Sequence, residues 1–232
     1  TIITQHRGTC LGLTGKWVTR VTDRGSDPLG RWSSATLQGR DNKSLTIISA
    51  YRVPQRTITG LKPTNSAFRQ HCQLLSQGHT EPKPRQQFLV DLQQKISTWK
   101  LKGEIILMLD ANENTTHGAE GFARFIANCG LIDSHAHLHG TASEPATHIN
   151  GSKRIDYMLC TPKVMDHVVR AGFEAFYAGY PSDHRGSFID IRLASLLNGE
   201  PANIESRLCR QIHSKKPSET IKYKEFVDKQ LE

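Results

Sequence analysis

The chain has 232 residues, a net charge of +8 and an apolar fraction of 37%, enough for one large domain or two small ones around a modest core. No apolar run approaches the roughly 18 residues of a membrane-spanning helix, and no secretory leader is legible. Five cysteines (Cys10, Cys72, Cys129, Cys160, Cys209) are scattered without a CxxC pair, which favours free thiols in a reducing, intracellular compartment over a disulfide framework.

The charge is uneven. Residues 1–80 hold eleven Lys/Arg, three Asp and no Glu, so eleven minus three accounts for the whole excess; residues 81–232 hold nineteen of each sign. A basic N-terminal region on a neutral body suggests a polyanion partner, most often nucleic acid; the alternative is a solvated, Arg-rich surface. Arg20, Arg24, Arg31, Arg40 and Arg52 are the candidate phosphate contacts.

In chain order, Ile2-Ile3 and Trp17-Val18 read as strand pieces between glycines, and the start at Thr1 in strand-like sequence suggests a fragment. Arg24 to Gly30 reads as a turn-rich loop. Trp32 to Leu37 and Leu45 to Tyr51 read as a hairpin with a polar turn. Residues 54–64 form a loop rich in Pro, Thr and Arg. Ser66 to Gln77 predicts a short helix stopped by Gly78, and the spacing of Phe88, Leu89, Leu92, Ile96 and Trp99 predicts a longer one. Ala119 to Cys129 is apolar at Phe122, Phe125, Ile126 and Cys129 and is closed by Gly130, and Leu131 to Asp133 starts a short element. His135, His137 and His139 alternate: on a strand they would share a face, as a zinc site or as a merely His-rich edge. Arg154 to Cys160, Val164 to Phe176 and Ser187 to Leu193 read as strands. Residues 194–232 read as a mixed-charge linker or appended segment, leaving 1–193 as the main domain.

The stretch Ile105 to Asn114, IILMLDANEN, organises the rest. An unbroken apolar run reads as a strand buried on both faces, and it stops at Asp110. Asp110 and Asn112 would leave the strand end together, as a base beside a hydrogen-bond donor aimed at a small polar group; the alternative is an Asx-rich turn. Asp156 stands in an otherwise apolar strand, where a buried acid needs a partner. Asp183-His184 sits at the mouth of the last strand, within reach if the two strands are neighbours. Asp156 could then hold the His184 imidazole by one nitrogen and favour its charged form. Asp183 would support a metal or orient a neighbour.

These motifs, SAYRV at 49–53, LDANEN at 109–114, KRIDYML at 153–159 and PSDHRGSF at 181–188, resemble the endonuclease/exonuclease/phosphatase superfamily over roughly residues 30–193. Its members include apurinic endonucleases, pancreatic deoxyribonuclease, inositol phosphatases and the endonuclease domains of non-LTR retrotransposons. The resemblance implies an α/β fold, a four-layer αββα sandwich of two packed mixed sheets with outer helices, its first strands missing here. It implies Tyr51 as phosphate contact, Asp110 as the residue that orients or deprotonates water, and Asn112 as transition-state contact. Asp156 becomes the partner of His184, the electrophilic histidine. Asp183 and Asp110 become metal-side acids for Mg2+ or Mn2+. Two departures stand out: Leu109 replaces the family's usual Gly, and no Glu precedes Glu81, whereas the family's main metal-binding Glu lies in an upstream motif.

The implied activity is divalent-metal-dependent hydrolysis of nucleic-acid phosphodiesters, DNA favoured, with a retroelement endonuclease as the finer likeness. That origin would add a downstream domain such as a reverse transcriptase and a nuclear location. Without the upstream Glu the chain is expected to cleave poorly. The alternatives are a catalytically inactive nucleic-acid-binding remnant and a phosphatase of inositol lipids or other small phosphoesters.

Overall fold

The computed structural model describes residues 8–54, 66–116, 121–142, 144–178, 181–201 and 217–231. The Ile2-Ile3 piece, all but Pro54 of the 54–64 loop, Ala119 and Cys209 lie outside them. The contacts divide the chain into two units, Thr1–Pro201 and Ala202–Glu232. In the second, the described part is a single helix, Pro217–Leu231. No helix among the described residues is long and apolar enough to cross a membrane.

The first unit is built on a six-stranded sheet. Its strands are β1 (Val21–Ser26), β2 (Trp32–Gln38), β3 (Ser44–Tyr51), β4 (Glu104–Asp110), β5 (Ile132–Asp133) and β6 (Asp156–Cys160), in the spatial order β1-β2-β3-β4-β6-β5. The apolar strand β4 lies inside it, parallel to β3 and antiparallel to β6. Successive residues alternate between faces. Ile105, Leu107 and Leu109 go to one side with Ile48, Ala50, Tyr157 and Leu159. There they pack under α2 (Pro84–Lys100) through Phe88, Leu92, Ile96 and Trp99, and under α3 (Phe122–Cys129) through Phe122 and Phe125. Helix α1 (Ser66–Ser76) precedes α2. Ile106 and Met108 go to the other side with Leu37, Leu45 and Cys160. This second core is closed by α5 (Pro162–Met165), α6 (Leu193–Leu196) and a two-stranded sheet of β7 (Val168–Phe173) and β8 (Ser187–Ile191).

The fold is thus mixed α/β with two sheets. Among the described residues of the first unit, helices cover the outer face of the large sheet. The outer face of the small sheet carries Phe188, 37% exposed, and the exposed pair Arg170–Asp190. The expected second outer helical layer is not found there.

Several elements differ from expectation for local reasons. Trp17-Val18 lies in a 3₁₀ turn, Lys16–Arg20, entered through Gly15 at φ 74, not in a strand. Arg24-Gly25-Ser26 continues β1, because the turn is made one step later by Asp27. Its carboxylate accepts the backbone N–H groups of Leu29 and Arg31 at 3.0 and 3.1 Å. Val164 and Met165 belong to α5, which Pro162 opens at its first turn. His135, His137 and His139 lie on a helix, α4 (Ser134–His139), whose N-cap Asp133 accepts from the N–H groups of His135 and Ala136. Helical spacing brings His135 and His139 together and turns His137 away, so the one-faced zinc arrangement does not form. Leu196 and Leu197 are buried, so the first unit runs to Pro201.

Candidate active site

Three strands end together at one edge of the second core. Tyr51 is the register partner of Asp110 across β3 and β4, and Asp110 that of Asp156 across β4 and β6. Two positions beyond Met108, Asp110 emerges on the Met108 face, and its lateral partners share that face. The start of β6 is fixed by Thr147, whose Oγ1 accepts from the backbone N–H groups of Ile155 and Asp156 at 3.0 and 3.2 Å. Thr147 is wholly buried.

His184 arrives on the loop before β8. That loop is stitched to the segment before β6: Ile149 N–H donates to the Asp183 carbonyl and Arg185 N–H to that of Thr147, both at 2.8 Å. The result is a short antiparallel bridge between His148 and His184. His184 Nδ1 lies 2.9 Å from Asp156 Oδ2. The ligand atoms of Asp110, Asp156 and His184 all fall within 4.8 Å of one another, the one such group among the described residues.

Charge is distributed unevenly over this triangle. The hydrogen bond that His184 donates to Asp156, against the opposing effect of burial, pushes His184 up to about 9, so the imidazole is cationic at neutral pH. Burial, and after it repulsion from Asp156, pushes the Asp110 carboxyl up to about 6, although His184 and the Asn112 N–H pull the other way. The site therefore pairs a charged histidine with a carboxylate poised near neutrality, a separation of acid and base suited to proton transfer.

The other predicted residues are placed differently. Asn112 does not leave the strand beside Asp110. It sits past the strand end at φ 48, a left-handed conformation that Asn tolerates. Its N–H donates to Asp110 Oδ1 at 3.0 Å, and its Nδ2 donates to the Arg52 carbonyl at 2.7 Å. The Asx turn and the poised carboxylate are thus one arrangement. Asp183 lies outside the Asp110 cluster; its exposed Oδ2 is 3.5 Å from His148 Nε2.

Two of the five arginines expected to track phosphates are interior. Arg31 is paired with Asp27 and Asp91, and Arg52, fully buried, with Glu113. Each neutralises a buried acid and cannot reach a phosphate chain. Arg40 sits in the β2–β3 turn, at the end of β3 opposite Tyr51, roughly 23 Å away at about 3.3 Å per residue. Arg20 donates to the Glu200 carbonyl at 3.2 Å. It precedes Val21, which pairs with Leu37 at that same far end. Arg24 is exposed on the edge strand β1.

Sequence reasoning missed His148 and Lys153, which line a cavity of about 360 Å³ with Asn112, Gly151, Ser152 and Ile155. The Asn150-Gly151 turn signal lay between them, but nothing in the spacing linked His148 to His184. It also missed Arg85, whose guanidinium reaches the carbonyls of Val53 and Asn112 and lies 3.5 Å from Glu113. Arg154, beside Asp156 in sequence, is buried, forms ion pairs with Asp133 and Glu144 and stacks over Tyr157 at 4.4 Å.

Two carboxylates and an imidazole could hold a metal ion. The carboxylate pair suits a hard cation such as Mg2+, which takes one or two carboxylates and keeps several waters. His184 is the poorer ligand, because its Nδ1 is held by Asp156 and the ring keeps its proton to about pH 9.

No protein-family model and no curated protein sequence matches the chain. Solved structures do match in fold. A variant of the 3′ phosphatase NExo from Neisseria, bound to product DNA hairpin, is 15% identical with a TM-score of 0.51 over 74% of this chain and 71% of that one. The 3′-5′ exonuclease NExo from Neisseria meningitidis gives 15%, 0.50, 74% and 71%. An AP endonuclease from Archaeoglobus fulgidus gives 17%, 0.50, 74% and 71%.

Proposed function

We propose that this chain, which has the endonuclease/exonuclease/phosphatase fold, is a divalent-metal-dependent phosphodiesterase acting on nucleic acid, with DNA favoured. The observation that carries the reading is the contact between His184 Nδ1 and Asp156 Oδ2 at 2.9 Å beside Asp110. With Nδ1 committed to Asp156, the cationic ring presents Nε2 to a phosphate oxygen and stabilises the charge that develops there. Asp110, ionised above about pH 6, takes the proton of the attacking water. Tyr51, level with Asp110, is a phosphate contact, and Asn112 holds the turn that aims the Asp110 carboxylate. A bound Mg2+ or Mn2+ would be held by Asp110 and Asp156 and would supply charge neutralisation at the phosphate and its leaving oxygen. Lys153, exposed on the adjoining cavity, is a second phosphate contact in our reading.

The AP endonuclease and the DNA-bound 3′ phosphatase of like fold favour nucleic acid over a small phosphoester. The test is nicking of supercoiled plasmid in Mn2+ by the unaltered chain, Asp110→Ala and His184→Ala. Slow nicking lost in both variants is expected. Salt-sensitive DNA binding without nicking at stoichiometric protein would assign the chain to the inactive, nucleic-acid-binding alternative instead.

A further inference from the structure

The segment before the His184 loop contains a backbone irregularity. Ala178 N–H donates to the Ala175 carbonyl at 3.2 Å, closing a four-residue turn with Phe176 and Tyr177 at its centre. Tyr177 has φ 65 and Phe176 is not among the positive-φ residues, the pattern of a type II turn. Such a turn wants Gly or Asn at its third position. Here that position carries a tyrosine, in a conformation that L side chains with bulk adopt only at a cost. The ring is not buried in return: Tyr177 is 64% exposed. An exposed aromatic alone needs no explanation. Here a strained turn holds the ring out, where glycine would suit the backbone better.

The turn is anchored beside the candidate site. Arg185, next to His184, lays its guanidinium over the Phe176 ring at 4.2 Å. Its Nη1 donates to the Glu174 carbonyl at 3.0 Å and its Nε to the Ala146 carbonyl at 2.9 Å. Glu174 N–H donates to the Gly186 carbonyl at 2.8 Å. One side chain therefore ties the turn to both the His184 loop and the segment leading to Thr147. Phe176 is the fixed foot of this arrangement and Tyr177 its displayed tip.

We propose that Tyr177 is a nucleobase-stacking residue, which holds an unpaired base of the substrate at the flank of the Asp110–Asp156–His184 centre. This rests on the nucleic-acid reading above and assigns it a specific contact. Every base offers a π-face, so a single aromatic platform contributes affinity without strict sequence preference.

The test uses the full chain and two fluorescent single-stranded oligonucleotides of equal length, one with normal bases and one whose central nucleotides are abasic. Binding is read by anisotropy in the presence of EDTA. Tyr177→Gly is expected to weaken binding of the base-bearing strand by about tenfold and to leave the abasic strand unchanged, while Tyr177→Phe binds both like the unaltered chain. The melting temperature of Tyr177→Gly should be no lower than that of the unaltered chain, since glycine suits the turn. Equal binding of the base-bearing strand by Tyr177→Gly and the unaltered chain would overturn the stacking role and leave the proposed function standing. A melting temperature several degrees lower in Tyr177→Gly would make the ring structural and overturn it equally. Failure of the unaltered chain to bind either strand would also overturn the stacking role, while plasmid nicking decides the nucleic-acid reading separately.

Discussion

At the scale of single residues, the position of a charge relative to its partner decides what it can do. The pairing of Asp156 was legible because an acid in so apolar a strand needs a partner, and His184 is 2.9 Å away. The pair makes stability depend on pH in a definite direction. His184 rises from 6.5 to about 9 on folding, so the stabilisation is complete below pH 6.5 and is lost as pH climbs through 9. Asp110, raised from 3.8 to about 6, acts in the same direction lower down, since its proton is held more tightly folded than unfolded. Thermal melts in EDTA should therefore show falling stability between pH 6.5 and 9, and Asp156→Asn should flatten that segment. An undiminished slope in the variant would detach the histidine shift from Asp156. In turnover, the same substitution should lower kcat more than it raises KM, because the histidine acts on charge that appears only in the transition state. Glu113 behaves differently: it is 8% exposed and neutralises Arg52, which is wholly buried. Glu113→Gln leaves a buried cation short of its partner and should cost about 3–5 kcal/mol in chemical denaturation.

At the scale of elements, legibility followed how local the cause was. The helix over Pro84–Lys100 and strand β4 were readable because each carries its own periodicity and stop signal: the apolar stripe of α2, and the end of the apolar run at Asp110. The hairpin of β2 and β3 was readable for the same reason. Helix α4 was not, because alternating histidines mimic a strand and the decisive contact, Asp133 capping the N–H groups of His135 and Ala136, is a side-chain choice with no period. The His148–His184 bridge was illegible for a stronger reason: it joins two loops across the chain, and neither carries a pattern for the other. Gly103 shows how an element boundary is enforced by packing. A Cβ there would lie 2.4 Å from the Ser44 carbonyl oxygen, and that oxygen belongs to the backbone of β3 and cannot swing away. Gly103→Ala should therefore separate the starts of β3 and β4 and lower stability by about 1–3 kcal/mol, whereas Gly12→Ala, with open space around it, should cost far less. Equal losses in the two variants would contradict the close approach.

At the scale of the whole molecule, the charge excess of residues 1–80 raises the question of a polyanion, and the fold divides the arginines that carry it. Sequence counts charges and cannot see which are already neutralised. Arg31 and Arg52 are spent on Asp27, Asp91 and Glu113 inside the fold. Arg40 is at the opposite end of the β3 strand from Tyr51, and Arg20 is fastened to Glu200. Lys153, exposed on the cavity that Asn112 and His148 also line, lies outside the basic region altogether. Salt dependence of DNA binding separates the two distributions, because each phosphate neutralised adds about 0.9 to the slope of log K against log salt. If phosphates run through the site, Lys153→Gln should make the slope shallower by about one, and Arg40→Gln should leave it unchanged. If the basic N-terminal region is the footprint, the effects should be reversed. Anisotropy titrations of one labelled duplex from low to moderate salt, with the two variants side by side, decide between them. A shallower slope in Arg40→Gln alone would move the nucleic acid to the far end of the sheet, away from Asp110 and His184, and would count against their cluster as the place where its phosphodiester is cut.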